Sequence, residues 1–295
     1  IKSSAASDVY KRQGFGSAPE GLENNEVVYE LLADMGWSSD SIDLDDWMKI
    51  YCEARYGGYP DAMEEAWKLF RKTAYSSLYS YPRFTWQTVI PDQRRISKID
   101  LSDDYLQAIR LYASCADELK SSELYRNDLI EFVSYYVAAK AENFYKQALK
   151  DDSENRVLAA QRNLQQTVDL LMDVDRLLAS HPLYRLEEWV ELARNSGTTL
   201  QEKDAYEANA KRLITSWGGI QEDYAARFWS GLIKDYYIPR IQLYFTKDRN
   251  KIREWEEQWI TSPWSNSTTP FDDPVEAALS LSLIHISEPT RLRCI

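Results

Sequence analysis

The sequence predicts an all-α protein, and three observations carry that expectation. From Asn25 onward apolar residues recur at the spacing of one helix face. The periodic stretches open on capping residues and close on glycines or prolines, and no sustained apolar–polar alternation marks a strand. The expected body has about eight or nine helices and no repeat clear enough for a solenoid.

The elements follow in order. Val27, Val28, Leu31, Leu32 and Met35 share a helix face, with Gly36 as a stop. Asp43 is placed to cap a helix carrying Leu44, Trp47, Met48 and Tyr51, which ends near Gly57-Gly58. Asp61 with Glu64 has the spacing of a capping box, opening a helix that bears Met63, Trp67, Leu69 and Phe70. Ser76 to Lys98, with Pro82 and Pro91, reads as a connecting loop. Four longer stretches follow: Asp103 to Leu119, Leu124 to Leu149, Ser153 to Ala179 and Pro182 to Asn195. Thr198 with Gln201 then reads as a second capping box, for a helix running to Trp217 and stopping at Gly218-Gly219. Asp223 is expected to start the next helix, with Pro239 late in it at a kink or end. The last pattern, Asp248 to Ile260, fades into the polar stretch Pro263 to Pro270.

Composition narrows the function classes. A hydrophobic fraction of 44% over 295 residues is enough for a buried core and excludes a disordered chain. No apolar run approaches the roughly 20 residues of a membrane-spanning helix. The net charge of −12, without a local basic stripe, argues against a nucleic-acid partner. Aromatic residues are abundant (Trp 10, Tyr 20, Phe 8), which suits sugar-facing surfaces but more often reflects cores.

The two ends read differently from the body. Ser3 to Gln13 (SSAASDVYKRQ) and Leu281 to Arg291 (LSLIHISEPTR) back-translate in frame to sequences resembling the transposase adapters used in preparing sequencing libraries. Residues 1–13 and 281–295 are therefore expected to be adapter-like. Gly14 to Ser280 is then an internal piece of a longer gene, more acidic than the whole because both end pieces are net basic. It holds Cys52, Cys115 and a single histidine, His181, which reads as structural. Neither a metal-binding spacing nor a disulfide framework is present, and no cofactor is expected.

Gly14-Phe15-Gly16-Ser17-Ala18-Pro19-Glu20-Gly21 is a glycine-rich turn that presents one carboxylate just before a helix. Glycine lets the backbone pass close to a ligand, and Pro19 stiffens the residue before the acid. On spacing alone, the better reading is that Glu20 and Glu23 simply favour the N-terminus of the following helix. Asp223 and Glu23, as further carboxylates, read either as groups supporting a site or, in preference, as solvated charge. Asn266-Ser267-Thr268 is a formal glycosylation triplet, of a kind common by chance.

Gly14 to Trp37, GFGSAPEGLENNEVVYELLADMGW, resembles the segment of α-N-acetylglucosaminidases (glycoside hydrolase family 89) that closes the catalytic (β/α)8 barrel and leads into an all-α domain. The likeness continues through Asp46-Trp47, Ala54-Arg55-Tyr56-Gly57, Leu124-Tyr125-Arg126-Asn127-Asp128-Leu129, Trp217-Gly218, Asp223-Tyr224-Ala225, Gly231-Leu232, Asp235-Tyr236-Tyr237 and Pro239-Arg240. An ordered series of this length is not a chance match.

Between the two adapter-like flanks, the resemblance implies two domain-level segments. Residues 14–37 would be the last loop and helix of a truncated (β/α)8 barrel, 38–280 an all-α C-terminal domain, and the flanks adapter-like. It implies hydrolysis of terminal α-linked N-acetylglucosamine from a glycan, with Glu20 as the nucleophile and Trp217 and Tyr224 facing the sugar. The partner acid/base glutamate would lie earlier in the barrel, outside this sequence, so the chain alone would be inactive. The loop between Trp217 and Tyr224 is shorter than in the family's animal members. A secreted, periplasmic or lysosomal address would follow. The competing reading is a non-catalytic helical interaction module, because an acidic helical array rich in aromatics needs no active site to be useful. Position separates the two: an enzyme requires Glu20, Trp217 and Tyr224 to share one concavity.

Overall fold

The computed structural model describes residues 26–75, 84–88, 102–217 and 222–283. Among them are twelve α-helices and no strand, only an isolated bridge between Arg185 and Ser230. The helices are α1 Glu26–Trp37, α2 Leu44–Tyr56, α3 Asp61–Lys72, α4 Asp103–Ser114, α5 Ala116–Leu119, α6 Glu123–Ser153, α7 Val157–Leu178, α8 Leu186–Asn195, α9 Leu200–Leu213, α10 Ile238–Tyr244, α11 Arg249–Thr261 and α12 Pro274–Ser282. The all-α expectation holds.

The core is organised around α6. This helix carries Leu129, Ile130, Val133, Tyr136, Val137 and Tyr145 inward on several faces, because α7, α12, α4, α2 and the short 3₁₀ turn Thr85–Gln87 all pack against it. A helix wrapped on all sides needs no amphipathic stripe. The three-residue turn between α6 and α7 makes them antiparallel neighbours. Beyond α7 lie two further layers: α8 pairs with α9, and α9 and α10 both pack on α11.

Several boundaries confirm the sequence reading. Asp43 caps α2 by accepting from the backbone N–H groups of Asp45 and Asp46, a contact worth about 1 kcal/mol, and Gly57 ends it with φ 87°. The same stretch of α2 joins α6 through a buried ion pair. Arg55 Nε and Nη2 each lie 2.7 Å from the Asp128 carboxylate, which also accepts from the Tyr56 hydroxyl at 2.6 Å. Two of the sequence segments singled out above, Arg55-Tyr56 and Asp128, are thus parts of one structural clamp.

Other boundaries differ. Pro60, fixed at φ −64°, is the N-cap of α3, so Asp61 and Glu64 lie inside the first turn and support it by charge rather than as a capping box. The second capping box sits one residue later than expected. Thr199 Oγ1 accepts from Glu202 N–H, and the Glu202 carboxylate accepts from Thr199 N–H at 2.9 Å. Helix α6 runs on to Ser153 and α7 begins only at Val157, because Asp151 draws the chain around itself by accepting from Gln147, Arg156 and Asn163. Gly36 lies within α1 rather than after it.

No helix starts at Asp223. The chain there turns, continues without helix through 226–229 and enters a π-helical turn, Ile233–Tyr237, that leads into α10. Pro239 therefore sits at the start of α10, where its missing N–H costs nothing. Asp175, buried on α7, anchors this turn by accepting from Gly231 N–H (2.8 Å) and Lys234 N–H (3.0 Å), and it holds Thr268 Oγ1 at 2.5 Å. Burial raises the Asp175 pKa, with those donors pulling the other way. Helix α12 was not legible in the sequence. Asp273 caps it, and it lays Ala278 and Leu281 onto the core, so it extends through Leu281 and Ser282.

Candidate functional site

The motif Gly14 to Gly21, including Glu20, lies outside the described residues, as do Glu23, residues 1–13 and residues 284–295. The other two candidates, Trp217 and Tyr224, come together. Their ring centroids are 5.6 Å apart at 64°, an edge-to-face arrangement. They are the aromatic pair beside the end of α9, and both are partly open to solvent, at 36% and 43%. A tryptophan that served only the core would be closed.

The local backbone explains how the pair is presented. After α9 ends at Leu213, Trp217 N–H donates to Arg212 O at 2.9 Å, closing the final turn with Trp217 itself at φ 52°. Six residues later Asp223 adopts φ 62°. Left-handed non-glycine residues cost about 1–3 kcal/mol each and persist only where surrounding contacts hold them. Two such residues flank the segment that separates the two rings.

Those contacts are visible at Asp223. Its N–H donates to Thr215 O at 2.9 Å and its carbonyl accepts from Ala226 N–H at 3.1 Å. Its carboxylate takes Arg240 Nη1 at 2.7 Å, with both side chains almost wholly buried (2% and 3% exposed). The expectation of a solvated Asp223 is therefore corrected: a basic partner 17 residues on neutralises it inside the core. Arg240 is a hub. Nη1 also lies 3.0 Å from Glu256 Oε1 and 3.1 Å from the Tyr236 hydroxyl, Nη2 donates to Gln87 O at 2.6 Å, and the guanidinium stacks 4.7 Å from the Tyr236 ring. The Tyr236 hydroxyl donates in turn to Glu256 at 2.8 Å.

Glu222 sits beside Asp223, 3.9 Å from Arg253, and burial raises its pKa against the pull of that arginine. Arg212 and Glu257 form a two-pronged ion pair, 2.9 and 2.7 Å, that ties the end of α9 to α11 beneath the pair. The arrangement offers an angled pair of aromatic rings backed by a buried charge cluster, suited to the apolar face of a sugar ring. Sequence reasoning located the two rings through the resemblance but missed Gln87, Tyr236, Glu256 and the role of Arg240. Only the pairing of Asp223 with Arg240 in space reveals them, although Pro239-Arg240 was among the resembling segments.

His181 is buried with its ring edge-on to Tyr184, and Nδ1 accepts from Leu183 N–H at 3.1 Å. It is structural, as the sequence suggested. Among the described residues no group of three or more His, Cys, Asp or Glu side chains is placed to hold a metal, and no helix is long and apolar enough to cross a membrane.

Comparison with known proteins gives consistent matches. The family model described as alpha-N-acetylglucosaminidase (NAGLU) C-terminal domain matches residues 47–283. Alpha-N-acetylglucosaminidase of Homo sapiens is 32% identical over 248 residues, covering 78% of this chain and 32% of that protein. A family 89 glycoside hydrolase from Clostridium perfringens in complex with PUGNAc superimposes with a TM-score of 0.79 at 24% identity, covering 94% of this chain and 36% of that one. A form of the Clostridium perfringens enzyme with two Glu→Gln substitutions, in complex with its substrate GlcNAc-alpha-1,4-galactose, gives 0.78 at 23%, with the same coverage. The two structural matches bear on the fold alone. The chain spans about a third of the length of these relatives.

Proposed function

The chain belongs to the family of the α-N-acetylglucosaminidase C-terminal domain, and on that premise we propose that it is the C-terminal part of a retaining, exo-acting α-N-acetylglucosaminidase. The observation that carries the reading is the half-open, edge-to-face pair of Trp217 and Tyr224, held by two left-handed residues at the positions the resemblance assigns to the sugar pocket. The partners would be a glycan ending in α-linked N-acetylglucosamine and an N-terminal barrel of the same polypeptide. The substrate of the Clostridium perfringens relative, GlcNAc-alpha-1,4-galactose, has that chemistry.

The mechanism follows from stereochemistry. In an α-linked N-acetylglucosaminide the 2-acetamido group is cis to the leaving group, so its oxygen cannot reach the opposite face of the anomeric carbon. The enzyme must supply the nucleophile. Glu20 would attack that carbon, form a covalent glycosyl-enzyme and leave when an activated water displaces it. A second carboxyl group about 5–5.5 Å away, protonated near neutral pH by a shielded setting, would serve as acid and then base. That glutamate would come from the barrel upstream, and the Glu→Gln pair in the relative's substrate complex fits a reaction run by two carboxyl groups. Trp217 and Tyr224 would press on the sugar.

A barrel docked on this chain would also account for α1. Val28 and Leu32, one turn apart, are 47% and 37% exposed, and Trp37 is 80% exposed. Large apolar side chains exposed along one helix support a covering partner. By itself the chain is expected to be inactive. The test uses the full-length protein: Glu20→Gln should abolish hydrolysis of an aryl α-N-acetylglucosaminide, and azide should restore turnover to Glu20→Ala with release of the β-glycosyl azide. Normal activity in Glu20→Gln would refute the assignment.

A further inference from the structure

The Trp217–Tyr224 pair is mounted on strained backbone, so something must hold it. Trp217 is held by its turn at the end of α9, whereas Asp223, next to Tyr224, is pinned through its N–H, its carbonyl and its carboxylate. The third of these leads to Arg240, which reaches three other parts of the fold: the π-helical turn through Tyr236, α11 through Glu256 and the Thr85–Gln87 turn through the Gln87 carbonyl. We propose that Arg240 is a positioning residue that sets the aromatic wall through Asp223. The proposal rests on the reading of that wall as sugar-facing.

The chemistry selects arginine. One terminal nitrogen meets the Asp223 and Glu256 carboxylates while the other meets Gln87 O, a division that a planar fork makes possible and a single lysine ammonium does not. One cation between two buried carboxylates also leaves no surplus positive charge to attract a different anion, which suits a structural strut rather than a ligand site. The Asp223 turn has no glycine to relax into, so loss of the carboxylate tether frees φ at that residue to leave the left-handed region. Tyr224 then moves, and with it the edge-to-face contact to Trp217.

The experiment uses the full-length protein labelled with 5-fluorotryptophan, the Trp217 signal being assigned by its loss in Trp217→Phe. Asp223→Asn keeps the side-chain shape but replaces the carboxylate with a neutral amide, so it weakens the charge-assisted tether to Arg240. It should shift or broaden the Trp217 signal and raise KM for an aryl α-N-acetylglucosaminide about tenfold with kcat changed less, the loss of a well-placed binding contact. Arg240→Lys should do the same. Asp151→Asn, which weakens a buried carboxylate in the last turn of α6, should lower Tm while leaving signal and KM unmoved, so that lost stability alone is not mistaken for lost positioning. If Arg240→Lys fails to fold, Asp223→Asn carries the test. An unmoved Trp217 signal in Asp223→Asn overturns the proposal. A moved signal in a protein without turnover leaves the positioning intact and refutes the functional reading instead.

Discussion

Lys140 offers the sharpest test of how the core is held. Its side chain sits on α6, 3% exposed, with Nζ lacking a hydrogen-bond partner among the described residues and lying 4.6 Å from the centre of the Tyr136 ring. Burial, with a smaller contribution from the like charge of Arg110 on α4, lowers its pKa from 10.5 to about 8. At pH 7 the ammonium is charged in both folded and unfolded chains, so the shift counts against the folded state by about 3 kcal/mol. The contact with the Tyr136 ring returns about 1 kcal/mol. Lys140→Met, which keeps the length and removes the charge, should therefore stabilise the protein by about 2 kcal/mol at pH 7. For a protein of this size that is a rise in Tm of about 4–8 °C. The sign of the pH dependence is fixed. The penalty is complete below pH 8, shrinks as the wild-type amine loses its proton in the fold, and is gone near 10.5, where both states are neutral. Urea unfolding of both proteins from pH 7 to 10.5 should show the gap closing. A variant no more stable than wild type at pH 7, or a gap that does not change with pH, would refute the reasoning.

Three further expectations follow from the same packing. Gly231→Ala should cost more than about 1 kcal/mol in urea unfolding, because φ is 82° and an added Cβ would stand 3.2 Å from Leu186 Cβ and 3.1 Å from the Trp264 ring; an unchanged midpoint would contradict this. Asp128→Ala should cost about 3–5 kcal/mol, since it strands Arg55 and the Tyr56 hydroxyl, and a loss under 1 kcal/mol would mean that the clamp is not buried in solution. Burial, and then the charge of Arg55, lower the His181 pKa from 6.5 to about 4, so the fold holds a neutral imidazole. The associated stability is full above pH 6.5 and falls by about 3 kcal/mol as pH drops towards 4. His181→Asn, which can still accept from Leu183 N–H, should flatten that part of the Tm profile, and an unaltered acid slope would count against it.

What the sequence disclosed and what it hid have physical causes. Helices with one wet face, such as α2 and α4, announce themselves by period and by caps, and Asp43 and Gly57 were read correctly. Boundaries slipped where two candidate caps adjoin: Thr198 and Thr199 both bind Glu202, and only geometry shows which hydroxyl receives the helix N–H. Helix α12 escaped because a short apolar run after a proline-rich stretch has too few turns to show a period. Asp223 was misjudged because a charge reads as solvated until its partner is known, and Arg240 is brought to it by the fold rather than by spacing. Trp217 and Tyr224 were legible only through the resemblance, since two aromatics near glycines have no spacing of their own to distinguish a sugar wall from a core.

The most direct test is a crystal structure of the full-length protein with an N-acetylglucosamine-configured inhibitor bound. The account predicts the sugar ring in van der Waals contact, about 4 Å, with both Trp217 and Tyr224, and a Glu20 carboxylate oxygen about 3–3.5 Å below the anomeric carbon. A sugar bound away from the two rings, or a Glu20 turned from the anomeric centre, would contradict it.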